Sequence, residues 1–182
     1  MGDGTVIVIG GAEDKVRDRV ILNRFVTLAG GRDATIAVVS TASSLGAEAG
    51  ERYRQIFTEL GVAKVHTLHA VTRPQANDET AALAVRDATG IFLTGGNQLR
   101  LSSTIGGTRL ADAILERFRK GAVAAGTSAG ASAMSSHMIA FGASGATPKH
   151  RMAQIAGASG CCRASSSTST SSSGTGWAGC CR

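Results

Sequence analysis

The chain has 182 residues, 43% of them hydrophobic, and a formal net charge of +6. That length supports one domain with a real core and is too short for two ordinary ones. Its Lys and Arg residues are scattered and few aromatics lie among them, which argues against a nucleic-acid-binding stripe. No apolar run approaches the ~18 residues of a membrane span. Met1-Gly2-Asp3-Gly4 lacks the basic and apolar regions of a signal peptide, so a cytoplasmic protein without a membrane partner is expected.

Thr5 to Ile9 is a β-branched run and reads as a buried strand. Gly10-Gly11-Ala12-Glu13-Asp14 turns the chain, and its acids are expected near the start of a helix, where the dipole favours them. Val16 to Ala29 has apolar residues at helical spacing and is closed by Gly30-Gly31. Thr35 to Ser40 is a second strand and Glu48 to Leu60 a second amphipathic helix. Val65 to Leu68 is a third strand, Asp78 to Arg86 a helix, and Gly90 to Thr94 a fourth strand running into Gly95-Gly96-Asn97-Gln98. Leu110 to Lys120 is helical and leads into an apolar run, Gly121 to Ala125. Strands and helices alternate, which predicts an α/β domain with a mostly parallel sheet and helices on both faces. The Gly-rich turns at Gly10, Gly95 and Gly126 all follow strands, so they should meet at one edge of that sheet, where such folds bind ligands.

Gly126-Thr127-Ser128-Ala129-Gly130 has the form G-x-S-x-G between a strand and a helix-compatible segment. That is the pattern of a nucleophile elbow, although a serine capping a helix has the same local look. If Ser128 is the nucleophile, the backbone N–H of Ala129 is the natural first oxyanion donor. Gly96 or Asn97 would supply the second from the turn after the fourth strand, and Gln98 would hydrogen-bond substrate. A serine also needs a base. His66 and His69 flank the third strand, His137 is expected on the elbow helix pointing away, and His150 lies in a basic stretch; none of the four reads as that base. All four cysteines lie after residue 160, as two adjacent pairs that do not match the C-x2-C spacing of metal sites; no cofactor is expected.

Three motifs in this order carry a resemblance: Val8-Ile9-Gly10-Gly11-Ala12-Glu13-Asp14-Lys15, Phe92-Leu93-Thr94-Gly95-Gly96-Asn97-Gln98-Leu99-Arg100-Leu101, and Gly126-Thr127-Ser128-Ala129-Gly130-Ala131. Together they resemble the cyanophycinase family, in the peptidase E group of serine peptidases, over about Thr5 to Ile155. The resemblance implies a class I glutamine-amidotransferase-like (flavodoxin-like) fold. It also implies hydrolysis of cyanophycin, a poly-aspartate with arginines amide-linked to its side chains, to β-Asp-Arg dipeptides without a metal. Ser128 matches the family's nucleophile, and Gln98 and Arg100 match a loop that helps hold substrate. Some members carry a glutamate where this chain has Ala146, before Thr147-Pro148. A homodimer fits the resemblance.

From Gly157 the chain becomes Ser-, Gly- and Cys-rich, so residues 1–156 read as the catalytic domain and 157–182 as an aberrant, disordered tail. Family members continue here with a run like Leu-Leu-Pro-Gly-Val-Ile-Ile-Asp-Gln-His-Phe, whose histidine is the base. Back-translated and read one base earlier, Cys161 onward permits that run, and Thr170 stands where the histidine would be. The implication is a frameshift near Gly157 that leaves the fold incomplete at its C-terminus, the sheet edge unpaired and the chain inactive. Two alternatives are an aspartyl dipeptidase of the same fold, acting on aspartyl peptides, and a non-catalytic fragment. An α/β-hydrolase shares the elbow, but no HGGG-type oxyanion motif is present.

Overall fold

The computed structural model describes residues 4–135, 137–142, 153–157 and 178–181. Five strands, β1 (Val6–Ile9), β2 (Thr35–Val39), β3 (Lys64–Leu68), β4 (Gly90–Leu93) and β5 (Val123–Thr127), pair in parallel in the order β3-β2-β4-β5-β1. The α/β reading of the sequence is therefore correct. Helices α1 (Val20–Leu28), α2 (Ala47–Glu59), α3 (Arg73–Ala76), α4 (Glu79–Arg86), α5 (Gln98–Ile105), α6 (Arg109–Arg119) and α7 (Ala129–Met134) fill the crossovers.

Side chains alternate across a strand, and the central strands are apolar on both faces. Ile36, Val38 and Phe92 face α1 and α2, where Phe25, Tyr53 and Phe57 complete an aromatic cluster. Ala37, Val39, Ile91 and Leu93 face the other way, against Val85 of α4, Leu101 of α5, Leu110 and Ile114 of α6 and Met134 of α7. Two cores of this kind explain why the strands read as continuous apolar runs instead of alternating ones.

Several boundaries differ from the sequence reading. Helix α1 starts at Val20, not Val16, because the Asp14 carboxylate accepts the backbone N–H groups of Val16, Arg17 and Arg19 at 2.9, 2.9 and 3.1 Å. Those three donors hold the Asp14 carboxyl far below the usual carboxylate range. The chain passes through Arg19 at φ 47° before the helix begins. The apolar run before the elbow forms its strand at Val123–Thr127, two residues later than expected, since Gly121 (φ 97°) closes α6. Helix α5, absent from the sequence reading, is capped by Asn97, whose Oδ1 accepts the Arg100 N–H at 2.8 Å.

His137 is not on the elbow helix. Helix α7 ends at Met134, Ser135 turns to extended backbone, and His137 opens β6 (His137–Gly142), which pairs antiparallel with β7 (Ala153–Gly157). In the tail, Ala178–Cys181 forms β8, antiparallel to β1 with Val6 opposite Cys181 and Ile9 opposite Ala178. Along this segment the free edge of β1 is paired. Residues 158–177, with Thr170, lie outside the described residues, as do Ala146 and His150. No helix among the described residues is long and apolar enough to cross a membrane.

Candidate active site

The carboxyl ends of β1, β2, β4 and β5 open into one cleft of about 280 Å³. Gly11, Ala12, Glu13 and Lys15 enter it from the turn after β1, and Ser43 and Leu45 from the segment after β2. Ala49, Arg52 and Tyr53 come from α2, Thr94 and Gly95 from the end of β4, and Thr127 and Ser128 from the end of β5. The three Gly-rich turns thus meet at one sheet edge, as a parallel α/β fold requires of a ligand site.

Ser128 is exposed while residues 122–127 and 129–135 around it are buried. Its backbone sits at φ 51°, ψ −114°, a region that a non-glycine residue occupies only under constraint. The constraint is visible. The Ser128 N–H donates to the Ile9 carbonyl at 2.9 Å, and the flanking glycines allow the strand and helix to close on one another. A Cβ on Gly126 would lie 2.5 Å from the Gly130 carbonyl carbon, and one on Gly130 would lie 2.2 Å from the Leu93 oxygen. Only glycine fits at either place. The first bond of α7 runs from the Ser132 N–H to the Ser128 oxygen, so the Ala129 N–H has no acceptor within the helix.

The turn after β4 abuts the elbow: a Cβ on Gly95 would stand 3.4 Å from the Ser128 Cβ. Of the two second donors considered from sequence, Asn97 is already engaged, its N–H donating to the Ala42 carbonyl at 2.8 Å. That bond anchors the turn and leaves Gly96 as the donor to consider. Gln98 and Arg100 occupy the first turn of α5. The Arg100 guanidinium reaches the rim of the cleft, donating to the Ser43 carbonyl at 3.4 Å.

Beneath the elbow lies a carboxylate that sequence reading had assigned to a helix start. Glu13 is 7% exposed. Its Oε2 accepts the Thr127 hydroxyl at 2.6 Å, its Oε1 accepts the Tyr53 hydroxyl, and the Lys15 Nζ approaches Oε1 at 2.7 Å. Burial pushes the Glu13 carboxyl up, but the bonds from Lys15, Thr127 and Tyr53 outweigh it and hold the group below the ordinary carboxylate value. Burial, with the adjacent Glu13 charge, drives the Tyr53 phenol up, so it stays a donor. A carboxylate shortly after a strand end is a position that the sheet-edge rule would pick out. Its neighbour Asp14 does not start a helix either: it accepts the N–H groups of Val16, Arg17 and Arg19 ahead of α1, whose own first turn holds no acid.

None of the described histidines lines this cleft. His66 lies on the edge strand β3, and His137 opens β6. His69 borders a neighbouring hollow with Gln75 and Asp78, where its Nδ1 is 3.2 Å from both the Ser40 Oγ and the Ser40 carbonyl.

Residues 6–158 match the model of peptidase family S51. The chain belongs to that family. Among its S51 relatives, the cyanophycinase of Geminocystis herdmanii is 44% identical over 153 residues, which is 84% of this chain and 56% of the relative. The cyanophycinase of Trichormus variabilis is 43% identical over 152 residues, 83% of this chain and 51% of the relative. The chain thus spans about half the length of the curated relatives it matches. The crystal structure of a peptidase from an acI-B1 Actinobacterium superposes with a TM-score of 0.66 at 25% identity, covering 75% of this chain and 59% of that one. The S51 match ends at residue 158, where the Ser- and Gly-rich composition begins.

Proposed function

We propose that this S51 chain carries the nucleophile half of a serine peptidase for cyanophycin. The observation that carries the reading is Ser128, held at φ 51° on a glycine-flanked elbow and exposed in a cleft at the sheet edge. The cyanophycinase relatives supply the substrate class. In the proposed reaction the Ser128 Oγ attacks a backbone amide carbonyl of the poly-aspartate. The backbone N–H groups of Gly96 and Ala129 receive the oxyanion. The amine leaves with a proton, and water releases the acyl group, giving β-Asp-Arg. Gln98 and Arg100 hold the polymer beside the turn after β4.

The proton of Ser128 needs an acceptor, and Thr170 stands where the family resemblance places a histidine. A threonine is no general base at neutral pH. We therefore take residues 1–182 as a chain with a formed nucleophile and slow or no turnover. Removing one member of a catalytic triad costs several orders of magnitude and leaves what the oxyanion hole and binding supply. A frameshift near codon 157 accounts for the tail and is checked by the DNA sequence there. The same reading takes the protein as cytoplasmic and as a homodimer, the latter measured by sedimentation.

The test is in two steps. A serine-reactive phosphonate should label the chain, and Ser128→Ala should abolish labelling. Exogenous imidazole, or restoration of the reading frame, should then release β-Asp-Arg from cyanophycin. No labelling in a folded chain favours a non-catalytic fragment. Labelling with release only from Asp-Xaa dipeptides favours an aspartyl dipeptidase.

A further inference from the structure

The cleft beside Ser128 carries more positive charge than its one carboxylate can balance. Lys15 and Arg52 both line it, and the Arg100 guanidinium reaches its rim at the Ser43 carbonyl. The acid is Glu13, whose side chain is only 1% exposed and is taken up by Lys15, Thr127 and Tyr53. Glu13 therefore cannot pair with a ligand cation. Lys15 is different. Its ammonium has three donors; Glu13 holds it from one side at 2.7 Å and the Tyr53 ring lies 5.5 Å away. The side chain is still 23% exposed, so it is fixed in place without being sealed off. Arg52 is exposed, and among the described residues it has no acidic partner within ion-pair distance.

We infer that Lys15 and Arg52 form a subsite for a carboxylate of the substrate, next to the nucleophile. The inference rests on the cyanophycin reading and says which part of that substrate the cleft recognises. Each arginine is attached to an aspartate side chain through its α-amino group, so its α-carboxylate is free along the whole polymer. The side group thus offers an anion and a guanidinium. Among the described residues that line the cleft, Lys15 and Arg52 can pair with the anion, and the one acid, Glu13, is already taken. The subsite takes the arginine α-carboxylate, with Lys15 as the part-exposed, fixed anchor and Arg52 as the adaptable partner that closes on it.

The experiment is equilibrium binding of β-Asp-Arg to the full chain, compared with the same dipeptide whose arginine carboxylate is a carboxamide. Binding needs no general base, so the missing histidine does not blunt the measurement. The acid form should bind at least about tenfold more tightly than the carboxamide, the scale of one or two charge-assisted hydrogen bonds. Arg52→Gln lies at an exposed position and should leave thermal melting unchanged. It should weaken the acid form by about three- to tenfold and leave the carboxamide unaffected, and Arg52→Lys should recover part of the loss. Equal binding of acid and carboxamide by the unmodified chain overturns the carboxylate subsite and leaves the substrate reading standing. So does an Arg52→Gln chain that weakens both forms alike or neither. Failure of both forms to bind at millimolar concentration overturns the subsite and the cyanophycin reading together.

Discussion

The turn after β1 and the turn after β5 leave neighbouring parallel strands at the same edge of the sheet, and each places a non-glycine residue at positive φ, Ala12 at 52° and Ser128 at 51°. They use that strain in opposite ways. The β5 turn lifts a hydroxyl into the open, whereas the β1 turn drives a carboxylate under it, where Thr127, the residue before Ser128, donates to it. One turn presents chemistry and the other braces it. A strained backbone is thus a sign of a functional edge without saying whether the polar group there is exposed or buried.

The comparison can be broken first at the elbow. Gly126→Ala sets a Cβ against the backbone of Gly130 at 2.5 Å. It should cost about 3 kcal/mol or more in urea unfolding and abolish phosphonate labelling even in the fraction that stays folded. The brace should give a smaller effect. Glu13→Ala strands the Thr127 and Tyr53 hydroxyls and frees Lys15, which is part-exposed, so a loss of about 2–3 kcal/mol is expected. Glu13 also carries a pH signature. Its folded pKa lies below its ordinary value of 4.5, so its stabilisation is complete above that value and disappears as pH falls through the folded pKa. The urea midpoint should therefore fall as pH drops below the ordinary value of 4.5 and through the lower folded pKa, and less steeply in Glu13→Gln. The smallest change, Thr127→Val, removes a single donor to a buried carboxylate and should cost about 1.5 kcal/mol. If the brace matters to the elbow, this variant also slows labelling of Ser128, whereas equal labelling confines Glu13 to stability.

How far the sequence reveals this differs between the two turns for a physical reason. The G-x-S-x-G spacing is legible in part because Gly126 is required by the backbone of Gly130 and Ala131 close behind it, a local constraint that leaves a spacing in the sequence, whereas Gly130 is required by the distant end of β4 at Leu93 and Thr94. Strands β1, β2, β4 and β5 are legible because burial on both faces selects continuous apolar runs, whereas the edge strand β3 is only half-buried. The role of Glu13 was not, because its partners Tyr53 and Thr127 come from α2 and β5, brought beside β1 only by the sheet order. Helix α5 was hidden for a different reason. Ser102, Ser103 and Thr104 lower its intrinsic propensity, and it is held by its Asn97 cap and by burial of Leu101, Thr104 and Ile105. The sequence alone leaves Asn97 open as an oxyanion donor, since the bond that commits its N–H to the Ala42 carbonyl comes from packing between distant segments. Strand β8 has no strand-like composition, and its pairing comes from the row of backbone groups that β1 presents at the edge.

The bond from the Ser128 N–H to the Ile9 carbonyl also fixes an order of events. Strand β1 ends at Ile9, while its parallel neighbour β5 begins only at Val123. At about 5–20 residues per second of synthesis, the first strand waits on the order of ten seconds for the partner beside it. During that interval Val6 to Ile9 is an unplaced apolar segment, and the Ser128 turn has no anchor until it docks. The Ser128 turn is therefore assembled late, after the β2–β4 part of the sheet has been made, and a nascent chain halted before residue 123 has neither that turn nor a seat for its own beginning.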